Sequence, residues 1–285
     1  MLGTTACFVC VNVIVHYIGT SVPTAQNAFL RFAWGFVFLA PAILTLTRRR
    51  FPAKVWGLFA LRGAMHSVAV VLWFYAMARI AMADVTAIGY LNPIVVTLGG
   101  ALLLGEGFAW RRGLAIVVAL IGGLVILRPG LREIEPGHIA QLGAALFFGV
   151  AYIVAKGLTR YATPGDIVAM MTVSVTLFLA PFAIAVWAPL TWAQIGWIGL
   201  TSAFGTLGHY CMTRAFACAP VTVTQPVTFL QLIWASLAGW LLFGEAVDPY
   251  VILGGGLIII AISYMTWREA ATQRRITPAP LETKV

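Results

Sequence analysis

Residues 167–213 run without one Asp, Glu, Lys or Arg, and so do 85–105, 136–155, 215–244 and 249–267. A bilayer core takes about 20 apolar residues per helix, so the longest run holds two spans and each other run holds one. The break inside it is "WAPLTW" at 187–192, a proline between interfacial tryptophans. Composition agrees, with 61% of the 285 residues hydrophobic and 9% charged, where a soluble domain carries roughly 25% charge. In water such a chain would expose large apolar areas. The runs are continuous rather than alternating, which selects helices over a barrel.

Ten helices are expected, at about 2–20, 26–47, 55–78, 84–104, 110–127, 137–158, 166–187, 192–213, 220–243 and 249–267. The linker-like "RPGLREIEPG" at 128–137 divides five spans from five. Alternate connections are unequal in charge. One side receives Arg48, Arg49, Arg50, Lys54, Arg111, Arg112, Lys156, Arg160, Arg214, Arg268, Arg274, Arg275 and Lys284, and the other only Arg79, Arg128 and Arg132. The positive-inside rule then places both termini in the cytoplasm and the chain in the inner (plasma) membrane. The net charge of +9 is read as this topology signal, since the basic residues scatter at span ends and form no nucleic-acid-binding face. Residues 268–285 are polar and expected to be a disordered cytoplasmic tail. The N-terminal stretch lacks a basic leader and reads as a retained first helix rather than a signal peptide. Cys7 and Cys10 form a C-x-x-C with no second pair at ligand spacing, so they read as small buried side chains; no metal and no cofactor are expected.

"ALLLGE" at 101–106 returns as "WLLFGE" at 240–245. Laying 76–106 over 215–245 without a gap matches ten of 31 positions, and "FLAP" recurs at 38–41 and 178–181. The expected architecture is all-α integral membrane, ten transmembrane helices as two inverted five-helix repeats, 1–130 and 131–267. Five is odd, so Glu106 and Glu245 should close their helices on opposite faces, each as a solvated helix-end residue rather than a site. Inverted halves are the architecture of secondary transporters, which bind near the midplane and rock one half against the other.

The segment "ARIAMADVTAIGYLNPIVVTLGGALLLGEGFAWRRGLAIVVALIGGLVILRPG" (78–130), the second "FGE", and Pro23, Gln26, Phe29 and Arg31 resemble the drug/metabolite transporter superfamily, EamA type. Within it the chain looks most like YddG-type exporters of aromatic and other neutral amino acids. The resemblance implies a monomeric secondary carrier with amino acids as cargo and the lipid bilayer as surroundings. The alternative is an uptake carrier or exchanger for a nucleoside, S-adenosylmethionine or a drug-like amine. Many members carry a tryptophan-glycine and a lysine in the first helix; here that stretch reads "FVCVNVIVHY", with His16 near the lysine's place.

A membrane enzyme would need a catalytic constellation, and no His/Asp/Glu cluster or phosphate-cradling loop is present. Carboxylates fall at helix ends, loops or the tail, so a carboxylate proton relay is not expected. His66 and Trp73 lie seven apart, and Ser202, Thr206, His209 and Thr213 follow helical spacing, as stripes facing a water-filled cavity would. Asn92 and Gln231 are matched by the repeat at mid-span. With Tyr90, Trp234, Trp73, His209 and Tyr152 they are the candidate substrate-binding residues, aromatic walls with neutral polar contacts. Bonding between helices is the plainer role for both amides. Asn12, His16, His66 and Lys156 are gating or coupling candidates, Lys156 with snorkelling as its plainer role. Pro93 and Pro226 each free a carbonyl one turn earlier and are candidate hinges.

Overall fold

A computed structural model describes residues 1–46, 49–92, 94–95, 110–128, 130–131, 133–218, 227–228 and 230–276. Among them are ten helices and no strand: α1 (Leu2–Ile18), α2 (Thr24–Leu46), α3 (Ala53–Met77), α4 (Met82–Gly89), α5 (Trp110–Leu127), α6 (Pro136–Leu158), α7 (Pro164–Ala185), α8 (Trp192–Cys218), α9 (Leu230–Phe243) and α10 (Pro249–Ile276). Pro93, Glu106 and Pro226 lie outside the described residues. Helices α2, α3, α6 and α7 are each long and apolar enough to cross a membrane. Their flanks and neighbours leave Leu177, Phe182, Ile184, Leu241 and Leu242 exposed, a surface suited to lipid.

Local chemistry sets the ends. Thr163 and Asp166 form a capping box around Pro164 at the start of α7, and Glu135 and His138 do the same around Pro136 at the start of α6. Gly19 (φ 56°) ends α1, and Gly244 (φ 67°) turns the chain out of α9. The repeated "FLAP" puts Pro41 and Pro181 inside α2 and α7, near the end of each. Three ends differ from expectation. The helix expected over 84–104 breaks at a turn, Tyr90–Leu91, after α4 ends at Gly89. Helix α8 continues to Cys218, and α10 continues to Ile276, so residues 268–276 of the tail expected to be disordered are helical. Seven of those nine residues are Arg, Glu, Gln or Ala, all good helix formers.

The most extensive packing joins early helices to late ones: α3 with α6, α5 with α10, α2 with α7, and α1 with α8. Helices α5 and α10 cross at bare backbone. A Cβ on Gly122 would sit 2.6 Å from the Gly254 carbonyl oxygen, and one on Gly254 would sit 2.5 Å from that of Gly122. The connections at 19–23, 78–81, 133–135, 186–191 and 244–248, with Arg128, gather at one end of the bundle, where side chains link them in pairs. At the other end Leu46, Val55, Phe59, Leu158 and Ile167 pack together and Arg49 reaches Asp166 at 3.1 Å.

Candidate functional site

Two arginines sit where none was expected. Arg31 lies two turns inside α2 and Arg62 nearly three turns inside α3, and they are 3% and 2% exposed. The expectation that basic residues mark span ends fails for both, because counting charges loop by loop overlooks a cation within a span. Arg62 donates through Nη1 to the Ile167 carbonyl (2.7 Å) and through Nη2 to the Met171 sulfur (3.3 Å), tying α3 to α7. Arg31 Nε and Nη1 have no hydrogen-bond partner. The guanidinium carbon stands 4.5 Å from the Phe32 ring centre and 5.9 Å from that of Phe74. Removing an ion from water costs several kcal/mol, while a desolvated cation–π contact returns about 2. The arginine is under-compensated.

Around it lies a chain of rings drawn from α1, α2, α3, α6 and α8. His66 is 5.4 Å from His209, 5.1 Å from Phe148 and 5.7 Å from Phe32 between ring centres. Phe148 stacks on Tyr152 at 5.9 Å and meets Trp73 edge-on at 5.9 Å, while Phe8 meets His209 at 5.1 Å. Both ring nitrogens of His66, Nδ1 of His209, Oδ1 of Asn12 and Oγ of Ser202 are buried without partners. Each such orphan costs about 1–3 kcal/mol. A narrow cavity, with room for about one water molecule, opens among Arg31, Phe32, Thr172, Ser202, Thr206 and His209. The striped face of α8 thus lines a cavity, with Thr213 giving its hydroxyl to the His209 carbonyl (2.7 Å). Ligand pockets run to several hundred Å³, so a metabolite enters only if the helices part.

The other sequence candidates scatter. Tyr90 bridges α4 to the α9 region, its hydroxyl accepting from the Leu232 amide (2.8 Å) and donating to the Thr228 carbonyl (3.2 Å). Asn92 Oδ1 is buried and unpartnered, Gln231 is half-buried, and no hydrogen bond links the two among the described residues. Trp234 is 51% exposed and Lys156 is exposed. Trp73, Tyr152, His66 and His209 belong to the central ring chain; Asn12 is buried in α1.

His16 is at the linked end of the bundle instead. Its Nε2 is 3.1 Å from the Glu245 carboxylate and its Nδ1 2.6 Å from the Met77 carbonyl oxygen. The Met82 amide also donates to Glu245, at 3.1 Å. Glu245 is therefore not the solvated residue expected; its side chain is 17% exposed. The turn at Gly244 folds it back toward the α1 C-terminus and the α4 N-terminus, where helix dipoles favour a cation and an anion respectively. Both nitrogens of His16 face acceptors, which only the doubly protonated ring satisfies. Nearby, Asp84 meets His138 at 3.3 Å, Arg128 pairs with Asp248, and Gln26 exchanges two 2.9 Å hydrogen bonds with the Ala188 backbone. Sequence reading missed Arg31, Arg62, Phe148 and Glu245 as site residues. The signal for the arginines was charge inside a span; Phe148 and Glu245 had none.

The profile of the EamA-like transporter family matches residues 1–128 and again residues 135–267. A riboflavin transporter of Vibrio cholerae serotype O1 is 26% identical over 96% of this chain and 94% of its own. An S-adenosylmethionine uptake transporter of Rickettsia prowazekii is 22% identical over 90% of this chain and 88% of its own. A pseudopaline exporter of Pseudomonas aeruginosa is 26% identical over 89% and 90%. A crystal structure superposes with TM-score 0.64 at 16% identity, covering 97% of this chain and 98% of its own, and supports the fold alone. These relatives do not support the amino-acid cargo expected from the sequence, and they include both uptake and export.

Proposed function

The chain belongs to the EamA-like transporter family and is a multi-pass helical membrane transporter; on that footing we propose that its cargo is a flat heteroaromatic metabolite of the flavin type, carried by alternating access through the central cavity. The observation that carries this reading is the ring chain Trp73–Phe148–Tyr152 and His66–His209 beside unpartnered donors. A flavin ring offers a face to stack on Phe148 or Tyr152 and carbonyl oxygens to accept from Arg31 and His209. A cation is opposed: one guanidinium about 6 Å away repels a unit positive charge by roughly 3 kcal/mol at an effective dielectric near 20. That weighs against sulfonium and amine cargo. Among the described residues no carboxylate lines the cavity to meet the ammonium of an amino acid, which weighs against a zwitterion. Riboflavin, the cargo of the Vibrio relative, fits both constraints.

The packing supports the inverted repeat. Exchanging the first five helices with the last five turns the α3–α6 pair into α8–α1 and returns the α2–α7 and α5–α10 pairs to themselves. The family profile matching twice agrees. The end bearing Arg49, Arg50, Lys54, Lys156, Arg160 and Arg214 is assigned to the cytoplasm by the positive-inside rule, with both termini there and the His16–Glu245 end outside. Since the main pairs join the halves, the bodies that move must each mix helices from both.

Counterflow into proteoliposomes of the purified chain tests the cargo. Labelled riboflavin should enter vesicles preloaded with riboflavin, unlabelled flavin should compete, and S-adenosylmethionine and tryptophan should not. Tryptophan flux equal to riboflavin flux rejects the reading.

A further inference from the structure

Arg31 differs from the other arginines whose contacts are described. Arg49 reaches Asp166, Arg128 pairs with Asp248, and Arg62 spends two nitrogens on Ile167 and Met171. Arg31 Nε and Nη1 remain unpartnered and buried at the wall of the central cavity. Ser202 Oγ and His209 Nδ1 line the same cavity and are also buried without partners. The carboxylates of Asp84, Asp166, Glu245 and Asp248 are engaged elsewhere, and Tyr152, the acidic side chain in electrostatic reach of Arg31, is a phenol. The placement is built into the backbone. A Cβ on Gly205 would sit 2.3 Å from Arg31 Nη2, so any side chain there would push the guanidinium off α8.

We infer that this cavity is an anion site, with Arg31 Nε and Nη1, Ser202 Oγ and His209 Nδ1 converging on one oxyanion or halide. A cation kept unpaired inside a span is stabilised by whatever negative charge visits it, and charge-assisted bonds from a guanidinium fork favour carboxylate and phosphate geometry. The inference rests on the reading of this cavity as the cargo's path. The negative group has two sources: an acidic group on the cargo itself, or a free inorganic anion that neutralises the wall for neutral cargo.

Thermal unfolding of the full-length purified protein, followed by tryptophan fluorescence, tests the site with no flavin present. In dilute zwitterionic buffer free of added carboxylate, chloride or formate should raise the wild-type midpoint by about 2–5 °C at saturation. Arg31→Gln should lose the shift and Arg31→Lys should keep part of it. Gly205→Ala, which keeps the arginine but displaces it, should also lose the shift and carries the test if Arg31→Gln does not fold. Riboflavin counterflow then separates the sources. Riboflavin has no acidic group, so flux that stops without chloride identifies a free anion; flux that needs no chloride, with flavin mononucleotide competing better than unlabelled riboflavin in the wild type but not in Arg31→Gln, identifies an acidic group on the cargo. A wild-type midpoint indifferent to both anions, or an equal shift in Arg31→Gln and Gly205→Ala, overturns the site. Absence of riboflavin flux with the shift intact rejects the flavin cargo and leaves the anion site standing.

Discussion

Replacing Glu245 by glutamine should unfasten the outer end of the carrier without unfolding it. The carboxylate holds His16 at 3.1 Å and the Met82 amide at 3.1 Å, joining the ends of α1, α3 and α9 to the start of α4. The two side chains are 19% and 17% exposed, between a surface pair worth about 0–1 kcal/mol and a fully buried one whose breakage costs about 3–5. Glutamine keeps an acceptor for Met82 and loses the charge, so the closed arrangement should weaken by about 2 kcal/mol. At 1.4 kcal/mol per decade that moves the closed-to-open ratio roughly thirtyfold. The assay is a single cysteine at Ser202 in a background with Cys7, Cys10, Cys211 and Cys218 changed to serine, labelled from outside with an impermeant maleimide. Labelling should accelerate by about the same factor, approaching saturation if the open state is already well populated. A rate within twofold of the parent would refute a gating role, and a lowered unfolding midpoint with unchanged labelling would mean that Glu245 serves only the fold.

Three further outcomes are expected. Alkaline pH removes the proton with which His16 serves either Met77 or Glu245, so labelling at position 202 should rise with pH, and His16→Gln should flatten that dependence. Gly122→Val should force α5 from α10, since its Cβ would meet the Gly254 carbonyl at 2.6 Å; a loss of about 1–3 kcal/mol should appear in chemical denaturation, and an unchanged midpoint would contradict the crossing. Tyr90→Phe leaves the Leu232 amide and Thr228 carbonyl without their bridge and should cost about 1–3 kcal/mol, with riboflavin competition constants unmoved if Tyr90 only links α4 to the α9 region.

Much of the helical frame was legible in the uncharged runs and their Pro and Gly punctuation, because lipid forces every span to satisfy its own backbone. The helical spacing of Ser202, Thr206 and His209 was likewise enough to put three polar side chains on one face, and that face meets the cavity. Asn92 and Gln231, paired by repeat offset, share no hydrogen bond among the described residues, and Tyr90 beside Asn92 reaches Leu232 beside Gln231 instead. The Glu245–His16 contact spans most of the chain and depends on a turn at Gly244 whose direction no local pattern encodes. Arg31 and Arg62 were visible as letters. Their meaning required knowing that, among the described residues, no carboxylate reaches them.

The interleaved packing also dictates an awkward birth. Arg62 donates to Ile167, 105 residues later in the chain, and synthesis at about 5–20 residues per second delays that partner by roughly 5–20 s. The glycine that accommodates Arg31 belongs to α8 and emerges later still. Helices α2 and α3 must therefore wait, each with a guanidinium lacking its final surroundings, at the insertion machinery or with the charge drawn toward the bilayer surface. A ribosome that stops after the fifth helix leaves a product with no means of shielding those charges, prone to proteolysis. Two separately encoded segments, made together, should find each other and restore the whole.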